Sequence, residues 1–139
     1  MANLMYSKAK QAFISGGIDL TSVAVKFVIV DTTGGASNYT VDSVNHEFLS
    51  DVVAGSRRAT SAALSSKTVT NGTFDAADII GAFPSLSGGA IEAAIMYVDT
   101  GTESTSRLIC YFDTGGGLPF TPTGNNADLV FNASGIFTL

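Results

Sequence analysis

Two copies of the triplet Asp-Thr-Gly stand in this sequence, at Asp99-Thr100-Gly101 and Asp113-Thr114-Gly115, each after an apolar run. Aspartic proteases carry a catalytic carboxylate in such a triplet, and two of these carboxylates, about 3 Å apart, share one proton. The spacing here works against that chemistry. Residues 91–98 and 107–112 read as two strands of a hairpin, with Asp99 ending the first and Asp113 the second. In an antiparallel pair those positions fall at opposite ends of the ladder, roughly 20 Å apart at about 3.3 Å per residue. A protease reading then needs a dimer that brings together two copies of Asp99 or of Asp113. The flap and the hydrophobic-glycine motif that support such a dimer are not found in the sequence. The competing reading is structural: an Asp after a strand accepts a bond from the backbone two residues on, and Gly supplies the φ that follows. Asp31-Thr32-Thr33-Gly34 places the same chemistry after a third apolar run.

The other reactive residues are isolated. His46 is the single histidine, with Glu47 beside it and Asp42 nearby, and reads as a surface or capping residue more readily than as a metal ligand. Cys110 is the single cysteine and lies inside a predicted strand, Leu108-Ile109-Cys110-Tyr111-Phe112, where a nucleophile has neither a base nor an electropositive setting. The glycines at 115–117 are not followed by the Lys-Ser/Thr of a phosphate loop. Asp75 and Asp78 lack the spacing of a calcium loop. Arg57-Arg58 is the one basic pair, fit for an ion pair within the chain or with an acidic partner. No set of residues calls for a cofactor or a metal.

The elements follow from periodicity. Leu4, Met5, Ala9, Ala12 and Phe13 recur at helical spacing up to Gly16-Gly17, which predicts a helical N-terminal segment over residues 1–16. Residues 23–30 are apolar on both alternating faces, as in a central strand. Residues 44–52 read as a short helix or turn. Asn71-Gly72 between threonine-rich flanks is the strongest hairpin signal. Residues 129–131 and 136–139 close the chain with two more strands. Seven or eight short strands among many glycines predict a mainly β single domain over residues 1–139, an antiparallel β-sandwich of jelly-roll-like kind.

Composition narrows the partners. Of 139 residues, 45% are hydrophobic and only 14% charged, against about 25% charged in ordinary soluble domains. Surface of that kind suits burial against other protein. The net charge is −5 and the pI about 4.5, with no basic tract, so nucleic acid is not an expected partner. No run approaches the roughly 20 apolar residues that span a bilayer, so no membrane is expected. The opening MANLMYSKAKQAF lacks the apolar core of a signal peptide and points to synthesis in a cytoplasm.

Three stretches carry a resemblance: YSKAKQAFISGGIDLTSVAVKFVIVDT; HEFLSDVVAGSR with TSAALSSKTVTNGTFDAADI; and EAAIMYVDTGTESTSRLICYFDTGGGLPFTP. With the terminal SGIFTL, the chain resembles a family of small virion proteins of tailed bacteriophages, over nearly its whole length. The loop at residues 31–40 is longer than that pattern. The resemblance implies a capsid cement (decoration) protein with a β-sandwich fold, bound to the outside of an HK97-type shell as a homodimer or homotrimer. Its partners would then be the major capsid protein and itself. A tail, neck or head-fibre component of the same virion is the alternative, and a dimeric aspartic protease using Asp99 or Asp113 a third. The family brings no catalytic residues. The candidate contact residues are Leu4, Tyr6 and Phe13 on the N-terminal segment and the pair Arg57 and Arg58.

Overall fold

Strand β2 (Val25–Val30) and strand β7 (Ala93–Val98) form the centre of the molecule, paired antiparallel from Val25↔Val98 to Val30↔Ala93. The computed structural model describes residues 3–139. Beside β7 lies β8 (Leu108–Phe112), and beside β8 lies the short β1 (Leu4–Met5); on the other side of β2 is β3 (Arg57–Thr60). The five-stranded order is β1-β8-β7-β2-β3. Two smaller sheets make up the rest: β10 (Phe137–Thr138), β5 (Thr73–Asp75) and β4 (Thr68–Thr70) in one, and β6 (Ile79–Phe83) with β9 (Ala127–Leu129) in the other. Every pair is antiparallel. The described residues are mainly β with one short helix, in a sandwich-like arrangement, as the alternation predicts.

The central sheet is covered on both faces. Phe27 and Ile29 share one face with Met96 and Ala94 across the β2–β7 ladder and with Cys110 and Phe112 beyond them on β8. The Phe27 ring lies 5.6 Å from that of Phe131, which brings the C-terminal segment onto this face. Val28, Ile95 and Tyr111 line the opposite face, where the Tyr39 ring is 6.2 Å from that of Tyr111. Such double burial explains why β2 and β7 read as nearly continuous apolar runs.

The N-terminal segment departs from its sequence pattern. Leu4 and Met5 are not helical; they pair with Tyr111 and Cys110 on the edge of β8. The backbone bonds available there outweigh a helical turn that would end in water. Helix α1 (Ser7–Ile14) begins only after Tyr6, whose φ of −64° and ψ of 139° are extended. It ends as the two glycines predict: Gly16 at φ +76° and Gly17 donate to the carbonyls of Phe13 and Ala12, which closes a Schellman motif. Met1 and Ala2 lie outside the described residues. The predicted helix or turn at 44–52 is a hydrogen-bonded turn closed by the His46 N–H on the Asp42 carbonyl, followed by a 3-10 turn, Leu49–Asp51. The Asn71-Gly72 hairpin is present, with φ of 51° and 79° at the two turn residues joining β4 to β5.

Candidate functional site

The two Asp-Thr-Gly triplets fall at opposite ends of the β7–β8 ladder. Tyr97 pairs with Leu108 at one end and Ala94 with Phe112 at the other, so Asp99 and Asp113 are separated by the length of the strands. No carboxylate pair forms between them within one chain. The triplets also differ in what holds them. Asp99 accepts the Gly101 N–H at Oδ1 (3.0 Å), the expected Asx-turn, while its Oδ2 lies 2.6 Å from Lys26 Nζ. That ammonium group, and then the Gly101 N–H, hold the Asp99 carboxyl below the usual carboxylate range. The second triplet is instead clamped by Asn3, whose Oδ1 accepts the backbone N–H groups of Asp113 (2.9 Å) and Thr114 (3.1 Å). Asn3 Nδ2 in turn donates to the Thr114 carbonyl.

The third repeat, at Asp31, is not an Asx-turn either. Arg58 Nη1 donates to Asp31 Oδ1 at 2.8 Å. Glu92 supplies the turn's acceptor: its Oε2 takes the Thr32 N–H at 2.8 Å and its Oε1 the Thr33 hydroxyl at 3.2 Å. Arg58 also donates to the carbonyls of Ser87 and Gly89. A Cβ at Gly88 would come within 2.6 Å of its guanidinium, so glycine there lets the backbone wrap the side chain.

The candidate contact residues are dispersed. Tyr6 has no exposed surface, and its hydroxyl lies 2.8 Å from that of Tyr39. It belongs to the core and offers nothing to a partner. Leu4 and Phe13 are half-buried, Leu4 in the β1–β8 ladder and Phe13 with its ring 6.2 Å from Phe137. Arg57 is bound within the chain, to Glu103 at 2.7 Å and to the carbonyls of Leu49 and Val52. These interior ties use the groups that an acidic partner would otherwise meet.

His46 ends a hydrogen-bond chain that is buried at Tyr6 and Tyr39 and part-buried at the histidine. Its Nδ1 accepts the Asp42 N–H (3.3 Å) and stands 2.8 Å from the Tyr39 hydroxyl. A backbone N–H can only donate, so Nδ1 is the acceptor in this arrangement and the Tyr39 hydroxyl donates to it. The Tyr6 hydroxyl is then the donor to Tyr39. Cys110 is buried on β8, and burial pushes its thiol up to about 12. Among the described residues, no group of three or more His, Cys, Asp or Glu side chains is placed to hold a metal ion, and no helix is long and apolar enough to cross a membrane.

A feature that the sequence did not disclose is a cavity of about 280 Å³ between the central sheet and the C-terminal segment. Phe27, Phe112, Phe83, Phe120 and Phe131 line it, and its rim holds Asn3 and Asp128. The phenylalanines come from five separate parts of the chain, so no local spacing announces them. No family model matches this chain, and no curated protein matches it.

Proposed function

We propose that this chain is a capsid cement protein, binding the outer surface of an HK97-type phage shell as an oligomer and stabilising it. The observation that carries the reading is the near full-length resemblance of its sequence stretches to small tailed-phage virion proteins. The architecture supports it. A cement protein bridges shell subunits mechanically and needs a stiff frame with several contact surfaces, which a sandwich with a doubly buried central sheet supplies. Low charge density suits a surface that is buried on assembly, and exposed Ile14, Val44, Val53, Ile80 and Val130 are apolar points of contact on that surface.

The test is co-sedimentation of the purified protein with expanded shells that lack it. Saturation in fixed proportion to the major capsid protein, with shells that then survive more heat, is the expected result. Absence of binding overturns the cement reading. Recovery from whole virions at a few copies per particle would place the protein in the tail, neck or head fibres instead.

A further inference from the structure

Asn71 is the only asparagine in the sequence that stands before a glycine. The fold sets it apart a second time, because the other asparagines have their carboxamides tied down. Asn3 clamps the Asp113 turn, Asn38 accepts the Gly35 N–H at 2.9 Å, and Asn45 donates to Asp42 at 2.8 Å. Asn125 donates to the Thr123 hydroxyl, Asn126 accepts the Ser85 N–H, and Asn132 accepts the Ser134 N–H. Among the described residues, Asn71 alone has a carboxamide with no hydrogen bond, and it is exposed.

The nitrogen next to it is equally open. Thr70 pairs with Thr73 across the turn, so the Gly72 N–H lies beyond the ladder and donates to no backbone carbonyl among the described residues. With no Cβ, Gly72 leaves that nitrogen unshielded. The hairpin itself is weakly held. β4 is an edge strand, bonded to β5 alone, and all of its residues are exposed. Local opening of such a segment costs little free energy.

We propose that Asn71 is a site of spontaneous deamidation, closed through the Gly72 nitrogen. In an opened hairpin that nitrogen gives up its proton to base and attacks Cγ of Asn71. The new C–N bond completes a succinimide ring, and the carboxamide nitrogen leaves as ammonia. Water then opens the ring. Cleavage of the new bond leaves aspartate; cleavage of the original peptide bond leaves isoaspartate, with the backbone rerouted through Cβ and Cγ. Either product carries one more negative charge than the asparagine.

The two products differ in what the fold can do with them. Asp-Gly suits the same turn, since aspartate also tolerates positive φ. Isoaspartate adds a methylene to a turn whose length sets the β4–β5 register. The Gly72 carbonyl, which accepts the Leu139 N–H at 2.9 Å, moves with it, and so does the bond between the Thr73 and Thr138 hydroxyls. Strand β10 should therefore loosen in the isoaspartyl form alone. The chemistry is independent of any shell.

The experiment holds purified wild type in mildly alkaline buffer and maps its peptides by mass spectrometry. Isoaspartate is read by methylation with an L-isoaspartyl methyltransferase. The control is Asn71→Gly, which has no carboxamide and keeps a turn that Gly-Gly also forms. Conversion at Asn71 about tenfold or more above that at any other asparagine is expected, with both products present. Asn71→Gly should lose most of the methylation. Amide hydrogen exchange at Thr138 and Leu139 should be faster in the isoaspartyl fraction than in the aspartyl one. Conversion at Asn71 no faster than at the other asparagines, or methylation undiminished in Asn71→Gly, overturns the proposal. Equal exchange in the two fractions overturns its consequence for β10.

Discussion

The guanidinium of Arg58 lies 2.8 Å from Oδ1 of Asp31, a carboxylate only 4% exposed, and ties edge strand β3 to the residue that follows β2. Removing the cation leaves the carboxylate in the interior with no ion pair from Arg58, the costly way to break such a pair. Arg58→Met is therefore expected to lower unfolding stability by about 3 kcal/mol, the low end for buried pairs because the arginine side chain is 17% exposed. Adding Asp31→Asn should restore part of that loss. Urea titration of the two variants checks this; a loss under about 1 kcal/mol for Arg58→Met would class the pair with surface salt bridges.

The direction of the Tyr6–Tyr39–His46 chain sets an order of damage. Tyr6→Phe removes a donor and leaves the Tyr39 oxygen with one acceptor site unfilled, at a cost of about 1 kcal/mol. Tyr39→Phe removes the link and leaves the Tyr6 hydroxyl, with no exposed surface, lacking its acceptor. Its cost is expected at about 2 kcal/mol or more. Urea midpoints of the two variants compare them directly. Equal losses, or a larger one for Tyr6→Phe, would mean the protons run the other way.

What the sequence disclosed was local. The Asn71-Gly72 turn, the Gly16-Gly17 helix stop and the doubly apolar β2 each follow from a few adjacent residues, and each stands where periodicity or turn chemistry put it. What it concealed depends on distant partners. Leu4 and Met5 share spacing with α1, yet the free edge of β8, over a hundred residues on, makes them a strand. A strand of two residues such as β1 has no period to read, and among the described residues ten strands stand where seven or eight were expected. The three Asp-led turns looked alike in sequence. Asn3, Glu92 and Arg58 make them different, and nothing near the aspartates announces those residues.

Cys110 should be inert until the protein opens. The thiolate is the reactive form, and burial pushes this thiol from its ordinary 9.0 up to about 12. At about pH 8 a disulfide reagent should label the native protein only at the rate of unfolding, and completely in denaturant. Labelling of native protein at the speed of a free thiol would place Cys110 at the surface and β8 outside the core.

The same burial makes the fold sensitive to alkali. Burial raises Tyr39 from 10.0 to about 12, and it raises Tyr111 to about 12 with help from the negative charges of Asp113 and Glu92. Tyr6 and Tyr97 are raised as well, again chiefly by burial. Below about pH 10 the phenols are protonated in both folded and unfolded chains, and their contribution to stability is fully present. Above it the unfolded chain releases phenolic protons that the folded chain keeps. The unfolded state then binds fewer protons, and stability falls as pH rises from about 10 through about 12. Tyrosinate absorbance and far-ultraviolet circular dichroism, followed together in a base titration, should change in one steep step above pH 10. Smooth titration of all four tyrosines near 10, with the dichroism unchanged, would mean that these hydroxyls reach water in the native state and that the core built around Tyr39 and Tyr111 is open.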